Sequence, residues 1–407
     1  MAGGSLDLSH PNYDTDFNSI RRGLEHYVRE LETTIGRVGI TYFQNLVWDG
    51  ATLNAVEKPC GSRDFGSYEK YREFLDESMA ALVANARDAR RAYHFELMST
   101  LSTGYDSPAV SVLANNAGCT EVIGFDQSAD GQPDDAREIS QQLDVRFHSI
   151  TTSDAPNADV AFLAAVAGNG GSVIFKAAEP LLAGRVVFTG FHGDKVWDKQ
   201  TTALGPDMVR GDTSGSDLTE YRLATGFVHC PVPFWGVRQI RDIHAISNSP
   251  ELAPWDVDGS YSRPICRRIV EERGVPRHAF GQHKRGVMKP RPNPSSFLTP
   301  QLQREYYRWL RAQRWQWIRR GKRFPSPALE AVVRFTARYG SAVHRLRAKH
   351  WVRRLGPHAD RVLRTLEVRF DPTRRRRLHR YVFHWAVDEA KSAYPLPPSG
   401  PRVQPCR

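Results

Sequence analysis

From His94 onward, short apolar runs alternate with helical stretches, and this alternation restricts the fold more than any other feature of the chain. His94–Leu101 reads as a strand, Ser107–Asn116 as a helix and Glu121–Phe125 (EVIGF) as a short buried strand. Asp134–Leu143 follows as a helix, with Ala136, Ile139 and Leu143 spaced for one face. Val145–Thr151 is another strand, Ala158–Ala167 a helix and Arg185–Thr189 (RVVFT) a further strand. Strands and helices alternating at this spacing predict an α/β fold, a parallel sheet flanked by helices on both faces.

The flanking segments read differently. Residues 1–66 are irregular apart from a candidate strand at Ile40–Val47. From Ser67, the residues Tyr68, Tyr71, Leu75, Met79, Leu82, Val83 and Ala86 recur at three- and four-residue spacing, so they share one helix face. Residues 198–262 are rich in Gly, Pro, Ser and Asp and read as loop-dominated, and Arg263–Arg273 reads as a helix stopping near Gly274–Pro276. The four prolines of Lys289–Pro300 suggest a linker. Ser326, Pro327 and Glu330 form a helix start, after which Leu329, Val332, Val333, Thr336, Tyr339, Val343 and Leu346 line one face. The tail from Tyr394 is Pro-rich and expected to be disordered. The expected division is an N-terminal extension (1–66), an α/β domain (67–290), a basic helical region (291–393) and a tail (394–407).

The chemistry concentrates at Ser102-Thr103-Gly104-Tyr105-Asp106-Ser107, between a strand and a helix. Ser107 is suited to cap that helix and Pro108 to occupy its first position. A helix N-terminus presents free N–H groups and a positive dipole end, which together attract anions. Gly104 lets the backbone approach a phosphate closely, and the Ser and Thr hydroxyls add donors. Asp106 suits a phosphate site if a divalent cation such as Mg²⁺ sits between the two anions. The other common nucleotide patterns, GxxxxGK[ST] and GxGxxG, are absent.

The loop resembles the SGGxDS signature of the N-type ATP pyrophosphatases, the PP-loop superfamily, with Thr103 standing where the signature has its first Gly. That resemblance implies a Rossmann-like, adenine nucleotide alpha hydrolase-like fold, with ATP cleaved between its α- and β-phosphates. A second stretch, Arg185–Asp198, is similar to the SGxGxDE segment of the asparagine synthetase-like branch. Thr189, Gly190 and Asp194 match in place, while the second Gly falls on His192, with Gly193 one position late. By this resemblance Asp106 and Asp194 hold Mg²⁺ on the pyrophosphate. Two positions depart from the branch: Phe191 replaces a Glu implicated in handling the incoming amine, and Lys195 replaces the final Glu. His192, beside the lost Glu, is a candidate base, since imidazole titrates near neutrality. A third stretch, Gly274–Arg285, resembles the late region of the branch, where a Lys reaches the ATP phosphates. Lys284 is the candidate and Arg285 the alternative; cations there stabilise charge accumulating on a leaving group. In the family the end of the second strand contacts adenine, which implicates Gly124, Phe125 and Asp126. The resemblance spans about residues 68–290. The second residue is Ala2, and residues 1–66 are too few for a glutaminase domain. The expected nitrogen source is therefore free ammonia, an amine on the substrate or a separate donor protein.

Charge is unevenly placed. The chain carries a formal net charge of +11, yet residues 301–380 hold 23 Lys and Arg against 5 Asp and Glu, leaving the remainder mildly acidic. Arginines outnumber lysines there by 21 to 2 and alternate with aromatics such as Tyr306, Tyr307, Trp309, Trp315 and Trp317. Forked guanidinium contacts and stacking suit an anionic partner, such as tRNA or another polyanion; a membrane surface attracts the same charge, and a solvated arginine face on a packed helix gives the same pattern. The five scattered cysteines form no CxxC pair, which argues against a disulfide framework or a structural zinc site and fits a reducing cytoplasm. No run of 18 apolar residues exists, and Met1–His10 lacks the features of a secretory signal.

Three functions fit these residues. The first is an asparagine synthetase-like ligase that adenylates a substrate and passes it to a nitrogen nucleophile. The second is a PP-loop sulfurtransferase acting on a tRNA base or small molecule with sulfide from a partner. The third is a non-catalytic ATP-binding protein.

Overall fold

The computed structural model describes residues 25–58 apart from 34, 35 and 43, residues 63–151 apart from 129 and 130, and residues 159–165. It further describes residues 172–202, 204–205, 221–222, 225–257, 259, 261–286, 298–319 and 380–390, with single positions at 19, 23, 362 and 363. Two compact units result, one comprising residues 10–156 and 174–289, the other residues 1–9, 157–173 and 290–407.

The first unit opens with two antiparallel hairpins, β1 (Glu30–Thr33) with β2 (Gly36–Gly39) and β3 (Gln44–Trp48) with β4 (Leu53–Glu57). Sequence reading gave one strand here, Ile40–Val47, and otherwise irregular chain; these pairs are short, and β3 and β4 lie largely exposed, so burial left little periodic signal. The β3–β4 turn is closed by Asp49, whose carboxylate accepts from the N–H groups of Ala51 and Thr52 at 2.9 and 2.8 Å.

Helix α1 (Tyr68–Ala86) begins where Ser67 Oγ accepts from Lys70 N–H, and it buries Tyr68, Tyr71, Leu75, Met79, Val83 and Ala86. The alternating part follows as β5 (Glu96–Thr100), α2 (Asp106–Asn116), β6 (Glu121–Phe125), α3 (Arg137–Gln142) and β7 (Arg146–Ile150). Helix α4 (Val160–Ala165) belongs to the second unit. The chain returns through α5 (Glu179–Leu182), β8 (Arg185–Thr189), α6 (Gly193–Val196) and β9 (Val228–Pro231). Helices α7 (Ile240–Ser247) and α8 (Pro264–Glu272) complete the unit. The strand β9 and helix α7 correct the loop-dominated reading of residues 198–262. β9 is four residues long, ends in proline and sits at the sheet edge, so it lacks the long apolar run of a central strand.

Five parallel strands lie in the order β7-β6-β5-β8-β9. Both faces are covered, as near-continuous apolar strands require. On one face Leu97, Leu101, Val122, Val186 and Phe188 join a core with α1, α2, α7 and α8. Met98 and Val187, paired across β5 and β8, point the other way and are equally buried. On that second face Phe125 meets Phe175 edge to face at 5.7 Å. The expected α/β class with a parallel, helix-flanked sheet is therefore present. Chain progression runs outward from β5 through β6 and β7 on one side, then jumps across to β8 and β9. The order reverses between β5 and β8, and in open α/β sheets the crevice beyond the strands' carboxyl ends at such a reversal is where ligands bind.

In the second unit α9 (Pro300–Arg319) and α4 both pack against α10 (Arg380–Ala390). Trp309 Nε1 donates to Asp388 Oδ2 at 2.7 Å, and the Tyr306 ring lies 5.4 Å from Trp385. Tyr306, Tyr307 and Trp309 are buried, so they are not displayed for stacking on bases. The helix expected from Ser326, the arginine run 374–377, the tail and all but residues 298–300 of the linker lie outside the described residues; Pro300, placed in the linker by sequence, begins α9. Among the described residues, no helix is long and apolar enough to cross a membrane.

Candidate functional site

The loop after β5 is held from several directions. Ser102 Oγ and Ser107 Oγ share a hydrogen bond of 2.6 Å, and Gly104 N–H donates to Ser102 Oγ at 3.3 Å. Thr103 donates through both its N–H and its hydroxyl to Asp134 Oδ1, at 2.8 and 2.7 Å. Its carbonyl accepts from Gly281 N–H at 2.9 Å. Helix α2 starts at Asp106, with Tyr105 in the cap position. The expected start at Ser107 is thus one residue late: Ser107 spends its hydroxyl on Ser102, and Pro108 lies in the first turn, where its missing N–H costs nothing.

The loop after β8 lands directly on that helix start. A Cβ built on Gly190 would come within 2.6 Å of the Asp106 backbone and 2.7 Å of Ser107 N. A Cβ on Gly193 would collide with the Asp106 carboxyl at 2.3 Å. Real Cβ atoms do not approach other atoms so closely, so both positions need glycine. His192 sits between them at φ 68°, in the left-handed region that favours glycine. A histidine at that φ carries backbone strain. The His192 ring is buried, 3.9 Å from the Phe191 ring and 4.6 Å from Phe234.

A third stretch covers the loop. A Cβ on Gly104 would lie 3.7 Å from both Arg285 Cβ and the Tyr261 hydroxyl, and a Cβ on Gly281 would strike the Tyr105 ring. Lys284 Nζ lies 3.4 Å from Asp194 Oδ2, an exposed pair. Asp106 is close enough to Asp194 to feel its charge. Of the predicted residues, Ser102 to Ser107, Gly190, Asp194 and Lys284 therefore gather at the β5/β8 reversal.

Two predicted residues stand apart from open space. Gly124 faces Phe147, whose ring would lie 2.6 Å from an added Cβ, and the Leu101 carbonyl at 2.8 Å. Phe147 and the Leu101 carbonyl thus pack directly against the Gly124 backbone. Phe125 is buried in the second-face core.

Sequence reading missed Arg263, Tyr261, Cys266 and Asp134. Arg263, at the start of α8, is buried and ion-paired to Asp106 Oδ2 through Nη1. Cys266 Sγ lies 3.8 Å from Asp106 Oδ1. Burial pushes the Asp106 carboxyl above its usual range; Arg263 pulls it down, and Asp194 adds a smaller upward push. Burial and the Asp106 charge likewise raise the Cys266 thiol well above its usual value. Nothing local in the sequence flags these residues, because their partners lie far away along the chain.

These contacts bear on the expected magnesium. Asp106 does not fit as a ligand, because Arg263 and Cys266 already face its oxygens. Asp194 fits: its carboxyl is partly exposed, and its partner Lys284 is an exposed, movable cation. One carboxylate with substrate phosphates and water suffices for magnesium. Among the described residues no group of three or more metal-ligating side chains occurs. No protein-family model matches the chain, and no curated protein matches it.

Proposed function

We propose that this chain binds Mg·ATP at the carboxyl ends of β5 and β8 and activates a substrate by adenylation, in the manner of an asparagine synthetase-like ligase of the PP-loop kind. The observation that carries this reading is convergence. Three stretches distant in sequence, Ser102–Ser107, Gly190–Asp194 and Tyr261–Arg285, meet where the strand order reverses, and close glycine contacts lock them together. The phosphates lie over the start of α2 with the Ser102 and Ser107 hydroxyls beside them. Lys284 and Arg285 face the departing pyrophosphate. Asp194 would hold magnesium, which would supply charge neutralisation for the leaving group.

The balance is simple. A carboxylate oxygen of the substrate attacks the α-phosphorus, the bond to the bridging oxygen breaks, and pyrophosphate leaves. An amine then displaces AMP from the acyl carbon, giving an amide and releasing a proton. Asp106, tied to Arg263, acts as a positioning residue that sets the geometry of α2 and of Gly193.

Sulfur transfer through this chain's own described thiols is the weaker reading. Burial pushes Cys119 up to about 11 and Cys230 up to about 12, so neither is a ready thiolate. The test is titration calorimetry with Mg·ATP on the whole protein, comparing wild type with Ser102→Ala and Lys284→Ala. Micromolar binding weakened by both substitutions supports the site; equal affinity in all three proteins places ATP elsewhere, and absence of binding removes the reading.

A further inference from the structure

Hairpin β3–β4 presents an apolar ribbon to solvent. Among the described residues, five of the eight exposed large apolar side chains belong to it, namely Leu46, Val47, Trp48, Leu53 and Val56, so this exposure is concentrated rather than scattered. Trp48 is 61 % and Leu53 59 % exposed. The register sets Trp48 opposite Leu53 and Leu46 opposite Ala55, so these four share one face, while Val47 and Val56 share the other. Neither long edge pairs with a further strand, because the sheet has two strands only. A lone two-stranded hairpin is marginal in water, and added strands supply what it lacks. Edge strands are ordinarily guarded against pairing by charges or proline, and β3 (QNLVW) has neither.

We propose that the β3 edge docks on the β3 edge of a second copy of this chain, joining two hairpins into a four-stranded antiparallel sheet with a two-fold axis at Leu46. Only the register centred on Leu46 pairs all five residues of the strand with the same strand of the other copy. It sets Leu46 against Leu46, Asn45 against Val47 and Gln44 against Trp48, and it brings each Trp48 ring diagonally within reach of Leu46 of the other copy. The β4 edge suits this less well, because its self-register centres on Ala55 and faces Glu57 with Leu53. Charge selects the same occupant. Residues 44–57 carry two carboxylates, Asp49 and Glu57, and no Lys, Arg or His. Nucleic acids and anionic lipid surfaces both draw on cations, so neither suits the ribbon. The Thr52 N–H and hydroxyl and the Ala51 N–H hold the Asp49 carboxyl well below its usual range, so the turn stays charged and resists burial in lipid. In the antiparallel pair the two Asp49 turns point to opposite ends, about 20 Å apart at roughly 3.4 Å per residue, beyond the screening length of about 8 Å. The proposal is independent of the ATP-binding reading.

The test is sedimentation equilibrium of the full chain over a concentration series. Wild type passes reversibly from monomer to dimer. Leu46→Lys and Leu46→Glu each weaken the dimer by about tenfold or more, because each sets two like charges face to face on the axis. Mixed in equal amounts, the two variants restore a dimer, since the facing charges are then opposite. Leu46 is exposed, so both variants keep the wild-type Tm. A second readout comes from cysteine substitution. Directly opposed Cβ atoms lie about 4.5–5.5 Å apart, near disulfide reach, so Leu46→Cys cross-links two chains under mild oxidation while Ala55→Cys on the outer strand does not. A wild type that stays monomeric throughout overturns the proposal, as does a mixture of the two charged variants that stays monomeric. A wild-type dimer indifferent to both charges places the contact elsewhere and overturns it, and cross-linking through Ala55→Cys alone assigns the β4 edge instead. A monomer that floats with anionic vesicles, and ceases to in Leu46→Glu, gives the ribbon to a lipid surface and likewise overturns it.

Discussion

Replacing Gly190 by alanine probes the contact on which the site is built. The added Cβ would lie 2.6 Å from the Asp106 carbonyl carbon and 2.7 Å from Ser107 N, roughly an ångström inside ordinary contact. Those neighbours are backbone atoms of the first turn of α2, so no side-chain rotation relieves the clash. Either the β8–α6 loop or the helix start must move. Overpacking of a tight core costs about 1–3 kcal/mol, and a backbone-to-backbone clash falls at the upper end, so about 2–3 kcal/mol is expected. At about 2–4 °C per kcal/mol for a unit of this size, Tm falls by about 4–12 °C. Because the strain lands on Asp106 and Ser107, the proposed ATP site predicts that ATP affinity falls as well. Gly39→Ala is the control: nothing lies within 4 Å of a Cβ there, and its stability stays within about 0.5 kcal/mol of wild type. Calorimetric melting and ATP titration of the two variants decide the matter. An unchanged Tm and unchanged ATP affinity in Gly190→Ala would mean that the two loops do not touch as described.

Other outcomes follow from the same contacts. Arg263→Met leaves the Asp106 carboxyl buried without its partner and costs about 3–5 kcal/mol by denaturant unfolding. Adding Asp106→Asn to it recovers part of that loss, and additive costs would argue against the pair. Burial opposes ionisation of Glu121, yet His148 and Arg185 hold its carboxyl below the usual range. That contribution is present above the ordinary value near pH 4.3 (roughly) and disappears as pH falls through the lowered one, so Glu121→Gln flattens the acid limb of a stability–pH curve. Alanine at Cys119 and Cys230 together leaves adenylation rates unchanged. In the native protein Cys119, Cys230 and Cys266 resist thiol reagents at neutral pH until unfolding exposes them, and rapid labelling of Cys266 would contradict its burial beside Asp106.

The centre of the sheet was legible because β6 and β8 are buried on both faces. EVIGF and RVVFT each carry an unbroken apolar run, Val122–Phe125 and Val186–Phe188, and the structure places β6 and β8 at the same residues. The β3–β4 hairpin was legible only as one misplaced strand, since strands without a buried face show no alternation for burial to impose. Helix α7 carries Ile240, Ile243 and Ile246 at helical spacing, but its eight residues sit among glycines and prolines that dominate the composition. In the site, the loop residues were legible from local chemistry, because a strand, small residues and a helix start follow one another without a gap. Asp134 and Arg263 were not, because their roles come from Thr103 and Asp106, 31 and 157 residues away. The departures at 191 and 192 were visible as letters. Only the backbone showed their meaning, with His192 held at φ 68° and packed between two phenylalanines.

Pyrophosphate release from Mg·ATP tests the account most directly, measured for the purified chain with a panel of carboxylates, amines and bulk tRNA. The account predicts release that requires one carboxylate of the panel, yields AMP in equal amount, and falls sharply in Ser102→Ala and Asp194→Asn. Orthophosphate and ADP as products, or release indifferent to both substitutions, would contradict adenylation at this site.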